Sequence, residues 1–333
     1  MSTNVMEQLQ LKAKANPQRV VMPEANEEKI LRAARQLRDK GLAYPVLVGQ
    51  PATVAAFAAS LGVSLDGIEV ADHTDQAKVE KYVAEFGKVS TDLPASAVKR
   101  MLRDPLNFGA MMVKLGDADC MVVGLSHTTG EVIMASQMII GLKEGISTVS
   151  SMGIASIPGF EGSEGNLLGI ADCAVCPAPD PSELADIAIT TADTIQTLMG
   201  WEPRVALLSF STKGSATHEN VDKVVKALEI VRQRKPDLLI DGELQLDSAI
   251  VPEVAARKIK GGSPVAGKAN ILIFPDLNAG NIGVKLIQRF GKAVAYGPSL
   301  QGFARPVSDL SRGAPVDEIV GAAILVLVRA QKK

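Results

Sequence analysis

The chain has 333 residues, 47% hydrophobic and 22% charged, which suits two folded domains better than a single core. Its 35 Lys and Arg against 37 Asp and Glu leave a formal net charge of −2, so no basic face is implied, and nucleic acid and anionic membranes are not expected partners. The polar N-terminal stretch carries no apolar run of the kind a secretory signal needs. The longest apolar run, Ile319–Val328, is too short to span a bilayer and suits a buried helix.

In chain order the pattern alternates strand and helix. Residues 19–23 (RVVMP) read as a strand. Asn26 is placed to cap a helix that buries Ile30, Leu31, Ala34 and Leu37 and ends at Gly41. Residues 45–49 read as a strand and 53–61 as a short helix, with further strands over 68–71 and 119–124 and helices over 77–86 and 105–115. After Gly145 the theme restarts. Asp180-Pro181-Ser182-Glu183 is a capped helix start, and that helix runs to Met199 before Gly200. Strands are predicted over 205–210, 237–240, 270–274 and 293–296, with helices over 220–233, 246–258 and 281–290 between them.

Alternation of this kind predicts an α/β fold of two domains with mainly parallel sheets. No internal repeat or low-complexity linker is visible. Crossings within 141–153 and 297–302 divide the chain into a discontinuous first domain, 1–145 plus 298–333, and a second, 146–297.

Three cysteines, Cys120, Cys173 and Cys176, are too few and too odd in number for a disulfide framework, which points to a reducing, cytoplasmic compartment. Cys173 and Cys176 form a C-x-x-C within GIADCAVCPAP, an apolar run that reads as a strand. Residues three apart on a strand face opposite ways, and no second pair completes a zinc site, so both are expected as core residues. His73 and His218 have no metal-ligand spacing, and no metal site is expected.

Three strand-following loops are rich in small residues. Ser209–Glu219 (SFSTKGSATHE) brings Ser211, Thr212, Lys213, Gly214 and Ser215 before a helix. Exposed amides, a helix dipole and a lysine would suit an anion there, although a surface loop with a cap fits the same residues. It is not a Walker A loop. Pro275–Gly283 (PDLNAGNIG) offers Asn278, Gly280 and Asn281 at a tight turn. Tyr296–Gly313 (YGPSLQGFARPVSDLSRG) ends in Ser311-Arg312-Gly313 before the last helix. No G-x-G-x-x-G follows a strand, so a dinucleotide site is not indicated.

Taken with Asp241–Val251 (DGELQLDSAIV) and Gly262–Asn270 (GSPVAGKAN), these stretches resemble the phosphate acetyl/butyryl transferase family in its short single-module form, over nearly the whole chain. The resemblance implies two α/β domains with an interdomain cleft, related to the isocitrate/isopropylmalate dehydrogenase fold, and a homodimer. It implies the reaction acetyl-CoA + phosphate ⇌ CoA + acetyl phosphate, with coenzyme A as a substrate, no permanently bound cofactor and no metal in the chemical step. The CoA thiol needs a base, the carbonyl oxygen needs fixed donors, and the phosphate needs cationic or amide clamps. By resemblance Ser311 and Arg312 belong to the active site, and Glu318, with Asp317 as second choice, is the base. Acids at that place also suit the first turn of a helix on dipole grounds alone.

The chain departs from the family pattern at two arginines. A stretch like D-T-L-R-P-A is replaced by GEVIMASQ, with Ile133 or Met134 in the arginine's place, and no arginine lies near Val83–Lys88. Two lost charge-assisted contacts would cost about 1.5–3 kcal/mol each. Ser126, His127, Thr128 and Thr129 lie in the neighbouring loop and could bind phosphate instead, though His127 reads equally as an ordinary loop residue. Met134 would make the pocket less polar and suit a longer acyl chain. Without the arginines, a non-catalytic binder of CoA or another metabolite is a second reading. A decarboxylating dehydrogenase is a third, and it lacks the clustered aspartates it would need.

Overall fold

The computed structural model describes residues 5–90 and 92–331, so the outermost residues of the expected first domain lie outside it. The chain divides into one unit running up to residue 143 and resuming at 303, and a second over 144–302.

The first unit begins α1 (Val5–Ala15), β1 (Gln18–Met22), α2 (Glu28–Asp39), β2 (Ala43–Val48), α3 (Pro51–Ser60), β3 (Glu69–Ala71), α4 (Gln76–Val89), α5 (Ala95–Met101), α6 (Pro105–Leu115), β4 (Cys120–Val123) and α7 (Thr129–Ile139). The second contains β5 (Ser150–Ser156), β6 (Leu167–Ala171), α8 (Pro181–Met199), β7 (Arg204–Leu208), α9 (Glu219–Arg234), β8 (Leu239–Leu244), α10 (Leu246–Ile250), α11 (Pro252–Lys258), β9 (Ile271–Ile273), α12 (Leu277–Arg289) and β10 (Val294–Gln301). The chain then returns to the first unit as β11 (Val307–Asp309) and α13 (Val316–Ala330).

The first sheet has the order β11-β4-β1-β2-β3 and every pair is parallel. From β1 the chain runs outward through β2 and β3, then returns to β4 on β1's other side. The order therefore reverses between β1 and β4, the position at which open parallel sheets collect ligands. Buried runs explain the strands: Val20, Val21 and Met22 in β1 and Cys120–Val123 in β4 are all fully buried. The apolar run over 319–328 is the buried face of α13.

The second sheet, β10-β5-β6-β9-β7-β8, is parallel from β6 to β8 but carries an antiparallel margin, β10 on β5 and β5 on β6. The sequence pattern above includes no strand over 150–156. Ser150 and Ser151 of β5 are buried yet satisfied: Ser150 accepts from Gln301 (3.0 Å) and Ser151 donates to Asp172.

Several local expectations need correcting. Asn26 does not cap α2; the extended residue at the cap is Glu27, tied by its N–H to Glu24 O (3.0 Å). The helix over 246–258 is two helices, broken at Val251 where Pro252 starts the second. The C-x-x-C run is not a strand: β6 stops at Ala171, and the amides of Ala174, Val175 and Cys176 fold back onto Asp172 (2.9, 3.2 and 2.8 Å). The cysteines are half-buried in that turn and unpaired. Burial pushes the thiol of Cys173 to about 12 and that of Cys176 to about 11. Among the described residues no helix is long and apolar enough to cross a membrane.

Candidate active site

Three strands of the first sheet end together. Asp309 lies beside Val123 in the register of β11 on β4, and β1 runs parallel alongside. The loops leaving these ends hold Glu24, residues 124–129 and Ser311-Arg312.

Glu24 organises this edge. It is 1% exposed. One carboxylate oxygen accepts the N–H groups of Gly124 (3.0 Å) and Leu125 (2.9 Å), and the other those of Ser126 (2.8 Å) and His127 (3.1 Å). The second oxygen also meets His127 Nδ1 at 2.8 Å. Burial works to raise the Glu24 carboxyl, but His127 and the amides of Ser126, Leu125 and Gly124 outweigh it and hold it below the usual carboxylate range. The Glu24 bond raises the His127 imidazole against the opposing effect of burial. Gly124 has φ +127°, and a Cβ there would meet Asp309 Oδ1 and the Leu310 amide at 2.5 Å, so only glycine lets the two loops meet.

The hydroxyls predicted for phosphate are already spent on carboxylates. Ser126 donates to Glu27 (2.7 Å), Thr128 to Glu131 (2.9 Å) and Thr129 to Asp309. Thr128 and Glu131 form a reciprocal capping box that starts α7, a signal visible in T-x-x-E that the sequence reading did not use. Burial raises the Asp309 carboxyl, and the negative charge of Glu24 adds to this. Asp309 Oδ1 is buried without a hydrogen-bond partner.

Ser311, Arg312, Asp317 and Glu318 are all exposed, the last two in the first turn of α13. Glu131 is held below its ordinary value, first through the Thr128 amide and hydroxyl, with positive charge from His127 and Arg312 adding to this. Ile133 is half-buried on that helix and Met134 is 61% exposed. A cavity of about 710 Å³ opens at the carboxyl ends of β1 and β2, lined among others by Glu24, Asn26, Gln50, Phe57, His73 and His127.

In the second unit the expected anion cradle is closed on itself. Glu243, 3% exposed, accepts from the Ser211 hydroxyl (2.8 Å) and the Gly214 amide (2.7 Å) through its side chain, and from the Lys213 amide (3.2 Å) through its carbonyl. Ser215 Oγ accepts the Thr212 amide (2.9 Å), and the Thr212 hydroxyl meets Ser248 (3.2 Å). Lys213 is paired with buried Asp241 and donates to Gly242 O (2.7 Å). Around α12, Asn278 is exposed, Gly280 is packed against the Asp172 carbonyl, and Asn281 donates to Cys173 O (3.1 Å). Among the described residues no group of three or more His, Cys, Asp or Glu could hold a metal ion.

The family described as Phosphate acetyl/butaryl transferase matches residues 4–327. The chain belongs to that family. It is similar to the Phosphate acetyltransferase of Clostridium acetobutylicum, 46% identical over 322 residues and 96% of each chain. It is also similar to a crystal structure of a phosphotransacetylase from Streptococcus pyogenes, with 39% identity and TM-score 0.91 over 99% of this chain and 98% of that one. A phosphotransacetylase from Staphylococcus aureus matches with 35% identity and TM-score 0.88 over 98% of each. The resemblance singles out Ser311 and Arg312; it does not single out Glu24 or Asp309, whose partners come from loops far away in sequence.

Proposed function

We propose that this chain is a phosphate acyltransferase, moving an acyl group between coenzyme A and inorganic phosphate, with acetyl as the first substrate and propionyl or butyryl next. The observation that carries the reading is near-complete coverage at 46% identity by a relative named for this reaction. The Ser311-Arg312 loop at the carboxyl edge of a parallel sheet supports it. Arg312 stabilises the phosphoryl oxygens, Ser311 donates to the developing oxyanion, and Glu318, or Asp317, takes the proton of the CoA thiol. Coenzyme A serves as substrate and not as a resident cofactor.

The protein is further proposed to be cytoplasmic, in keeping with three unpaired cysteines, and a homodimer. Ile282, Leu286 and Phe290 form an exposed apolar stripe along α12 that continues to Val294 on the edge strand β10, and a second copy is the partner we assign to it. A non-catalytic CoA binder is the competing reading, favoured by Ile133 or Met134 in place of an arginine.

The test is thioester formation from CoA with acetyl, propionyl and butyryl phosphate in parallel, beside Arg312→Ala. Turnover abolished in the variant supports the reading, and the fastest substrate names the acyl group. CoA binding without turnover on any of the three would leave the non-catalytic reading.

A further inference from the structure

Of the polar side chains in the loop after β4, three have their protons committed: Ser126 to Glu27, Thr128 to Glu131 and Thr129 to Asp309. The amides of 124–127 all point at Glu24 and cannot also cradle an anion. The remaining side-chain donor is His127, whose Nδ1 is held by Glu24 while its ring lines the cavity. Glu24 itself, saturated by four amides and an imidazole, has no capacity left for substrate or for a proton.

We propose that His127, through Nε2–H, is the cationic donor that binds the phosphoryl oxygens at this edge, and that Glu24 is its positioning residue. This deepens the acyltransferase reading and rests on it for the identity of the substrate. The Nδ1–H···Glu24 bond fixes the ring's orientation, and a charged imidazole offers the stronger bond to an oxyanion. Three acidic groups act on the ring from different elements: Glu24 after β1, whose hydrogen bond is the largest influence, Asp104 at the start of α6 and Glu131 on α7. Arg312 is the cation acting on Glu131, and Asp309 on β11 feels the charge of Glu24. The three acids keep the imidazole protonated further up the pH scale than a free histidine, against the opposing effect of burial.

Sulfate is the probe, because it stays a dianion where phosphate titrates. Calorimetry at constant ionic strength should show wild-type affinity about tenfold or more higher at about pH 6 than above the imidazole's raised pKa, the size of one charge-assisted hydrogen bond. His127→Gln should flatten that dependence. Glu24→Gln should move it to lower pH and raise KM for acyl phosphate while leaving KM for CoA within about twofold. If Glu24→Gln fails to fold, the His127→Gln comparison decides alone. A pH dependence unchanged in His127→Gln, or no sulfate binding by the wild type at either pH, overturns the proposal. Sulfate binding is read without turnover, so absence of acyltransferase activity would defeat the functional reading and still leave this inference testable.

Discussion

The ammonium of Lys213 rests on the carboxylate of Asp241, a side chain 4% exposed, which also receives Ser263 Oγ at 2.5 Å and Arg232 at 3.3 Å. An arrangement that reads in sequence as a lysine offered to an anion is a structural tie from the loop after β7 to strand β8.

Lys213→Met should therefore lower stability by about 1–3 kcal/mol, since Asp241 loses its nearest cation but keeps the others. Urea unfolding reads this. KM for acyl phosphate should stay within roughly twofold of wild type; a much larger rise would return Lys213 to the binding machinery.

Gly280→Ala should be more damaging. A Cβ at Gly280 would stand 2.1 Å from the Asp172 carbonyl, a backbone atom that cannot swing aside. A loss of about 3 kcal/mol or more is expected, at the upper end of overpacking, and thermal unfolding measures it. Wild-type stability would show that the turn after β6 yields.

The Glu24–His127 pair fixes a window of pH-dependent stability. The Glu24 carboxyl is depressed in the fold, so its contribution is present above its ordinary 4.5 and is lost as pH falls through the lower folded value. The His127 imidazole is raised, so its contribution is full below its ordinary 6.5 and is lost as pH rises through the higher folded value. The stability gap between wild type and Glu24→Gln should be widest between those two values, and denaturant titrations across pH should trace a plateau there. A gap that grows steadily above that window would contradict the pairing.

Phe290, at the end of the apolar stripe, is 83% exposed. Sedimentation should give about twice the 35.0 kDa chain mass for wild type, and the single-chain mass for Phe290→Asp. Single-chain mass in the wild type would remove the dimer.

Much of the fold was legible because parallel strands buried on both faces announce themselves as apolar runs, and α8 announces itself through D-P-S-E and a closing glycine. β5 was not, because Ser150 and Ser151 are buried against Gln301 of β10 and Asp172 just past β6, partners distant in sequence. The site divides the same way. Ser311-Arg312 lies in a local stretch that resembles a family. Glu24 is a single acid whose four amide partners lie about a hundred positions away, and no local pattern records that. The Ser211–Ser215 loop looked open because its acceptor, Glu243, belongs to another strand end.

The most direct measurement of the central claim follows CoA thiol consumption and acetyl phosphate loss together, in wild type and Arg312→Ala. Equimolar loss of both with thioester formed is expected, with turnover in Arg312→Ala lower by about a hundredfold or more. Acetyl phosphate loss without thioester, or turnover indifferent to Arg312, would contradict it.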